Sequence, residues 1–217
     1  MSKTKIGVLG SGDVGRVLAA GFAALGHDVK LGSRDPKSDK VTSWLAKTGA
    51  HASAGTFEET AAFGDLLVLS TLWDGTENAL KLAGAKNLDG KVLIDTTNPL
   101  KHEPGKPPDL AVGHSDSGGE SVQRWAPGAR VVKCFNTVGN AFMVNPKFPG
   151  GPPDMFICGN DAAAKTTVTE VCKNFGWPTI DMGGIEGARL LEPMCILWVL
   201  YGVRSGTWAH AFKLLRM

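Results

Sequence analysis

Along most of the chain, short β-branched and aliphatic runs alternate with longer stretches of helical period. That alternation predicts a parallel sheet with helical crossovers. Lys5–Leu9 reads as a first strand. Val14–Leu25 reads as a helix, with Val14, Leu18, Phe22 and Leu25 spaced for one buried face and Gly26 closing it. Asp28–Gly32 is a second strand, Val41–Lys47 a short helix and His51–Ser53 a weak third strand. Thr56 and Glu59 form a capping box for a helix over Phe57–Phe63. Leu66–Ser70 is an apolar run of the kind buried at a sheet centre. A helix over Gly75–Leu82 and a strand over Lys91–Asp95 follow.

In the second half, Arg130–Phe135, Met155–Cys158 and Thr179–Asp181 read as strands. Asp161 caps a helix that runs to Phe175 and stops at Gly176 and Pro178. Ala188–Val203 and Thr207–Leu214 are predicted as terminal helices. The periodicity fails from Asn98 to Gly119 and again from Asn145 to Asp154, both rich in Pro and Gly. Long loops of this kind in compact domains are more often functional than idle. The expected architecture is a doubly wound, Rossmann-type α/β fold with a mainly parallel sheet. Residues 1–183 form its nucleotide-binding domain, and residues 184–217 a small C-terminal helical segment that completes a second-substrate site.

Composition narrows the partners. The 217 residues carry a formal net charge of only +2, too small to make nucleic acid or an anionic membrane the main partner. Ile6–Leu9 is too short for a signal peptide and Met194–Val203 too short to span a bilayer. Cys134, Cys158, Cys172 and Cys195 are widely spaced inside apolar segments, which fits reduced, buried thiols of a cytoplasmic protein.

The strongest local motif is Gly10-Ser11-Gly12-Asp13-Val14-Gly15, placed after a strand and opening a helix. Gly10 permits the tight turn, Gly12 lets the backbone approach a pyrophosphate, and Gly15 lets helix and strand pack closely. The helix N-terminus then offers N–H groups and partial positive charge to the phosphates. An NAD site places Asp or Glu at the end of the second strand, on the ribose 2′-hydroxyl. Here Gly32-Ser33-Arg34 stands there instead. A carboxylate repels a 2′-phosphate, whereas Ser33 can donate to it and Arg34 can pair with it bidentately. Lys37 and Ser38 extend the same cup, and Asp35, followed by Pro36, is expected to turn outward or cap a local turn. The cofactor expected is NADP.

Ligands in an open α/β sheet bind outside the carboxyl ends of the strands. Ser70-Thr71-Leu72-Trp73 and Thr96-Thr97-Asn98-Pro99 hold such positions. Trp73 is read either as a cofactor wall or as a plain buried tryptophan. In Phe135-Asn136-Thr137-Val138-Gly139, Gly139 lets backbone come close to a flat ring. Asn136 either bonds a carboxamide or fixes its own turn.

Acid–base candidates are scarce. The five histidines (His27, His51, His102, His114 and His210) have no visible Asp or Ser partner, and Tyr201 reads as core. No metal-ligand cluster, Tyr-x-x-x-Lys pair or Gly-x-Ser-x-Gly elbow stands in the sequence. No catalytic residue is assigned. Such a site suggests hydride transfer between two cofactors, where the protein supplies alignment and dryness. Two alternatives stand beside it: an NADP(H)-binding sensor without turnover, and a reductase of a small imine or keto acid. The apolar face of the terminal helix, with Met194, Leu197, Trp198 and Tyr201, either packs on the parent domain or forms a symmetric interface.

The chain resembles the coenzyme F420-dependent NADP oxidoreductases. The resemblance rests on Leu9–Gly15, Leu31-Gly32-Ser33-Arg34, Val132–Val138 and Ala188-Arg189-Leu190-Leu191-Glu192-Pro193, and it runs essentially from end to end. It implies NADP along the sheet edge, a deazaflavin against the nicotinamide face, and a homodimer. By match, Ser11, Gly12, Ser33 and Arg34 hold NADP, Ser38 lies near its 2′-phosphate and Gly139 faces the nicotinamide. Trp208 and His210 are the second-substrate candidates, His210 because it falls where the family's last helix touches the deazaflavin. The same unit also resembles the cytosolic domain of membrane metalloreductases, which passes electrons to a flavin. FMN or FAD is therefore the other ring partner to consider.

Overall fold

The computed structural model describes residues 3–103, 105–215 and 217. In the first half, strands β1 (Lys5–Leu9), β2 (Asp28–Gly32), β3 (Ala52–Gly55), β4 (Leu66–Leu69) and β5 (Val92–Asp95) alternate with helices. These are α1 (Asp13–Ala24), α2 (Asp39–Thr48), α3 (Phe57–Phe63), α4 (Trp73–Ala83) and the short α5 (Ala85–Leu88). A small hairpin, β6 (Leu100–Lys101) with β7 (Asp109–Leu110), precedes α6 (Gly118–Trp125) and β8 (Arg130–Lys133). Then come β9 (Met155–Gly159), α7 (Ala162–Asn174), β10 (Thr179–Asp181) and α8 (Ala188–Ser205).

The strands form one sheet in the order β3-β2-β1-β4-β5-β8-β9-β10. Pairing is parallel throughout except between β8 and β9. Alternate side chains of the central strands face opposite layers, as period-2 geometry requires. Ile6, Val8, Leu66, Val68, Val92 and Ile94 pack with Leu18, Phe22, Val41 and Phe175 on one side. Leu9, Leu67, Leu69, Leu93 and Val131 pack with Phe57, Leu80, Val122 and Leu191 on the other. Both faces are dry, which explains why these strands read as near-continuous apolar runs. The strand order reverses between β1 and β4, so the ligand crevice of this fold opens at Gly10 and Ser70.

Several expected features are present. Thr56 and Glu59 form the capping box of α3, and the Asp161 carboxylate caps α7 at Ala164 N–H, 2.7 Å away. All four cysteines are buried and free.

Other features differ. Helix α6 was not expected, because it opens on Gly118-Gly119 inside a Gly- and Pro-rich stretch. The local signal was Ser117 three residues before Glu120: the Ser117 hydroxyl accepts from Glu120 N–H at 3.1 Å and donates to its carboxylate at 2.7 Å. Residues 207–214 are not helical. This tail is irregular and tied down, with Asp154 N–H donating to Phe212 O at 3.0 Å and Leu214 N–H to the Asp154 carboxylate at 2.8 Å. Nor do the apolar residues of α8 share one face. Leu191, Cys195, Trp198 and Gly202 point inward, while Leu197 and Tyr201 are exposed, so Tyr201 is not core.

At the entrance to β1, Thr4 N–H donates to Nδ1 of the buried His27 at 3.2 Å, a bond that needs that nitrogen bare. Burial holds the imidazole below its ordinary 6.5, opposed by Asp28. A base held down in the folded state is protonated first in the unfolded chain. Its full stabilisation is therefore present above about pH 6.5 and is lost as pH falls below that value. Thermal unfolding should show Tm declining between about pH 7 and about pH 5, with a flatter profile in His27→Asn. An unchanged slope in the variant would assign the acid sensitivity to other groups.

Candidate cofactor and second-substrate site

The turn after β1 is shaped by close approach. Gly10 has φ 131°, a region that L side chains rarely adopt, and a Cβ there would strike the Ser70 carbonyl. At Gly15 a Cβ would strike the Gly10 carbonyl and lie 2.6 Å from the Ser70 hydroxyl. Gly12 is different: a Cβ there meets nothing within 4 Å. The protein itself has no packing need for glycine at Gly12, yet the position opens α1 as its N-cap with no side chain capping it. Open space, bare N–H groups and a helix dipole make a cradle that a side chain would fill and a phosphate fits.

Around this cradle, the Ser11 hydroxyl donates to Ser33 Oγ at 3.1 Å, joining the ends of β1 and β2. Val14 is half-buried against the core. Asp13 is neutralised by Arg16, whose guanidinium also holds Ser11 O at 2.8 Å. Arg16 was not singled out in the sequence. Its signal was the three-residue spacing from Asp13 on the first turn of the helix.

At the end of β2, Ser33 is buried and its Oγ also accepts from Asp35 N–H at 3.2 Å. Asp35 caps its own turn, accepting from Lys37 N–H at 3.1 Å, as its position before Pro36 suggested. The Ser38 hydroxyl donates to Asp35 O at 2.9 Å. Arg34 and Lys37 are exposed, and neither side chain has a hydrogen bond or ion pair among the described residues. Two free cations over a hydroxyl-lined turn suit a phosphate better than a ribose hydroxyl.

Beyond β4, the buried Ser70 hydroxyl lies 3.4 Å from both Leu9 O and Gly10 O, so it supports the glycine turn. Thr71 pairs with Thr76 at 2.9 Å. Leu72 is 86% exposed at the crevice mouth, a large apolar side chain with no cover. Trp73 instead packs on Trp125, ring centroids 5.3 Å apart, which favours the plain packing role.

A buried charge cluster lies where β5 and β8 end. Asp95 and Lys133 are register partners, both fully buried, with Lys133 Nζ 2.7 Å from Asp95 Oδ2. Lys133 also reaches Glu192 Oε1 of α8 at 2.9 Å and Thr97 O at 2.8 Å. Burial alone would lower the ammonium pKa, but the two carboxylates reverse this and hold it above the usual lysine range. The second oxygen of Asp95 takes Thr97 N–H at 2.9 Å and the Thr97 hydroxyl at 2.7 Å. Glu192 takes Gly118 and Gly119 N–H, each at 2.9 Å, at the N-terminus of α6. Neither Asp95 nor Lys133 is among the site residues that the sequence suggests. The available signal was a charged residue closing each of two apolar strands, which solvent exposure would also have explained.

After β8, Phe135 adopts φ 61° while its ring stays in the core. Strain of this kind gathers at functional sites. Asn136 is committed internally: its amide donates to Asn98 Oδ1 at 3.0 Å and Leu191 O at 2.9 Å, and Asn98 returns a bond to Asn136 O at 2.9 Å. Only its Oδ1 lacks a partner among the described residues, and it is sealed from solvent. Asn136 therefore fixes two loops, in place of the expected reach for a carboxamide. Thr137 is buried, and Gly139 lies against Trp198, where a Cβ would come within 3.0 Å of the indole.

Trp198 anchors an aromatic group. His210 stacks on it at 4.7 Å, Trp208 lies at 5.3 Å, and Tyr201 meets His210 edge-on at 4.6 Å. His210 Nε2 is spent on Trp198 O at 2.9 Å, while Trp198 Nε1 donates back to His210 O at 2.9 Å. The expected second-substrate residues are thus together, and Trp208 is half-exposed. Among the described residues, no group of three or more His, Cys, Asp or Glu could hold a metal ion, and no helix is long and apolar enough to cross a membrane.

The family model for NADP oxidoreductase, coenzyme F420-dependent, matches residues 5–99. A solved structure from Arthrobacter sp. FB24, named a candidate F420-dependent NADP reductase, is 40% identical and superposes with a TM-score of 0.93. It covers 98% of this chain and all of its own. The chain belongs to the F420-dependent NADP oxidoreductase family. The F420-dependent NADP reductase of Methanothermobacter thermautotrophicus is 28% identical across 93% of this chain and 90% of its own. Metalloreductase STEAP3 of Rattus norvegicus is 32% identical across 87% of this chain, and the chain spans only 36% of that relative's length. Imine reductases, at 21% identity and a TM-score of 0.66 for the Myxococcus stipitatus enzyme, share the fold alone.

Proposed function

We propose that the protein binds NADP(H) at the Gly10–Gly15 turn and passes a hydride between it and a flat ring partner, the deazaflavin F420 or a flavin. The observation that carries this reading is the pairing of an open, uncapped Gly12 with an exposed Arg34, without a partner among the described residues, where NAD enzymes keep a carboxylate. The names of the family and of its F420-dependent relatives support the ring partner.

The nicotinamide supplies the transferable hydride when bound. The protein's part is to bind, orient and dry. Gly12 and the first turn of α1 hold the pyrophosphate, with Ser11 and Val14 beside it and Arg16 quenching Asp13. Ser33, Arg34, Lys37 and Ser38 take the 2′-phosphate. Thr97 and Asn98 present the loop beyond β5, Asn136 pins it, and Gly139, packed on the Trp198 indole, brings its backbone beside the ring. Leu72, Trp208 and His210 cover the second ring and exclude water. His210 holds its place through Nε2, which donates to Trp198 O. Ring-to-ring transfer asks for alignment rather than an acid.

The test mixes protein with NADPH and, separately, F420 and FMN, and follows the nicotinamide absorbance. Loss of that band with F420 supports the F420 reading, and loss with FMN alone moves the partner to flavins. Tight binding with no oxidation by either ring would overturn the proposal in favour of a sensor. We also assign the exposed stripe Leu190, Leu197 and Tyr201 of α8 to a two-fold interface between copies. Sedimentation should then give a dimer at micromolar protein, and a monomer throughout would remove this assignment.

A further inference from the structure

The geometry points to Lys133, with Asp95 and Glu192, as the positioning group that couples the cofactor loop Thr96–Asn98 to the second-substrate helix α8. It rests on the hydride-transfer reading above and goes beyond it, because none of the three residues touches the crevice. All are buried: Lys133 and Asp95 have no exposure, and Glu192 has 1%.

Lys133 donates a hydrogen bond to Thr97 O and makes ion pairs with Asp95 Oδ2 and Glu192 Oε1, while Asp95 Oδ2 has no hydrogen-bond partner among the described residues. Both carboxylates have further donors: Thr97 N–H and hydroxyl for Asp95, and Gly118 and Gly119 N–H for Glu192. The one surplus negative charge sits on the N-terminus of α6, where the helix dipole offsets it. Buried ion pairs are a weak source of stability, since apolar residues of the same volume commonly do as well. What two carboxylates meeting on one ammonium add is a fixed geometry between the elements that carry them.

Those elements are the two halves of the proposed site. Thr97 lies in the loop beyond β5 on the cofactor side, and Lys133 holds its carbonyl while Asp95 holds its amide. Glu192 lies on α8, whose Trp198 lies against Gly139. A second, neutral link runs beside the first, from Asn98 through Asn136 to Leu191 O. Any displacement of α8 relative to the nicotinamide loop must break one of these bonds. Hydride transfer needs the reacting atoms held to about 3–3.5 Å, and a misplacement near 1 Å costs about a hundredfold in rate.

The experiment compares the parent protein with Glu192→Gln. The change removes one charge and turns an N–H donor towards the α6 amides. Its fold is checked by thermal unfolding. Asp95→Asn/Lys133→Met/Glu192→Leu, which leaves no buried charge and keeps an oxygen for Thr97 N–H, serves if the first does not fold. Three quantities are read: NADPH Kd by tryptophan fluorescence, amide exchange at 96–98 and 188–195 with and without NADPH, and the single-turnover rate with the ring acceptor.

In the parent, NADPH should slow exchange in both segments. In the variant, Kd should stay within about threefold, protection should be confined to residues 96–98, and transfer should slow by about tenfold or more. A variant in which NADPH still protects 188–195 as in the parent, with transfer unchanged, would overturn the coupling. A parent protein that does not bind NADPH would instead contradict the cofactor reading.

Discussion

Replacing Gly12 with alanine is expected to leave Tm and the circular dichroism spectrum unchanged while weakening NADPH binding by about a hundredfold. The fold places nothing within 4 Å of a Cβ at this position, so the protein loses no packing by the change. A dinucleotide does, because its pyrophosphate needs the same volume and the N–H groups behind it. Losing one or two charge-assisted hydrogen bonds, at about 1.5–3 kcal/mol each, sets the magnitude. Gly15→Ala is the contrast. Its Cβ would strike the Gly10 carbonyl and the Ser70 hydroxyl, so it should lower Tm as well as affinity. If Gly12→Ala binds NADPH like the parent, the turn is not the pyrophosphate site.

The second large effect is expected at Arg34. Arg34→Asp should weaken NADPH by about a hundredfold or more and leave NADH within a few-fold, measured by titration at fixed ionic strength. Arg34 is exposed and has no partner among the described residues, so nothing inside the protein depends on it. The new carboxylate would repel a 2′-phosphate and stand where NAD enzymes accept the ribose hydroxyls. Lys37 remains as a partial substitute, so loss of NADPH binding should deepen in Arg34→Asp/Lys37→Ala. Equal losses for the two nucleotides would move the 2′-phosphate elsewhere.

The candidate nucleotide turn was legible because it is local. Gly10, Gly12 and Gly15 lie within six residues, between an apolar strand and an amphipathic helix, and the chain folds there as its own pattern dictates. Ser33 and Arg34 follow from the end of the next strand. The strands were equally readable, since parallel strands buried on both faces leave long apolar runs. Elements set by distant contacts were not readable. Helix α6 opens on two glycines and is held at its N-terminus by Glu192, 74 residues from Gly118. The 207–214 segment has helical residues but forms no helix, because Asp154 and Trp198 hold it in an irregular path.

The same division runs through the site chemistry. Asn136 looked like a ligand residue because it stands after a strand, yet its amide belongs to Asn98 and Leu191. The Asp95–Lys133–Glu192 cluster joins two strand ends to a helix near the C-terminus, and only the sheet register shows that they meet. A lysine closing Val131-Val132-Lys133 reads in sequence as the point where a strand reaches water. Here it marks the place where two carboxylates replace water.

The most direct test of the central claim follows the hydride itself. The protein is mixed with each epimer of NADPH deuterated at C4 and with F420, and the reduced deazaflavin is analysed by mass. The expected result is one deuterium in the deazaflavin from one epimer and none from the other, which shows direct transfer between two rings held face to face. Unlabelled deazaflavin from both epimers, or bound NADPH that is never oxidised in the presence of F420 or a flavin, would contradict the account.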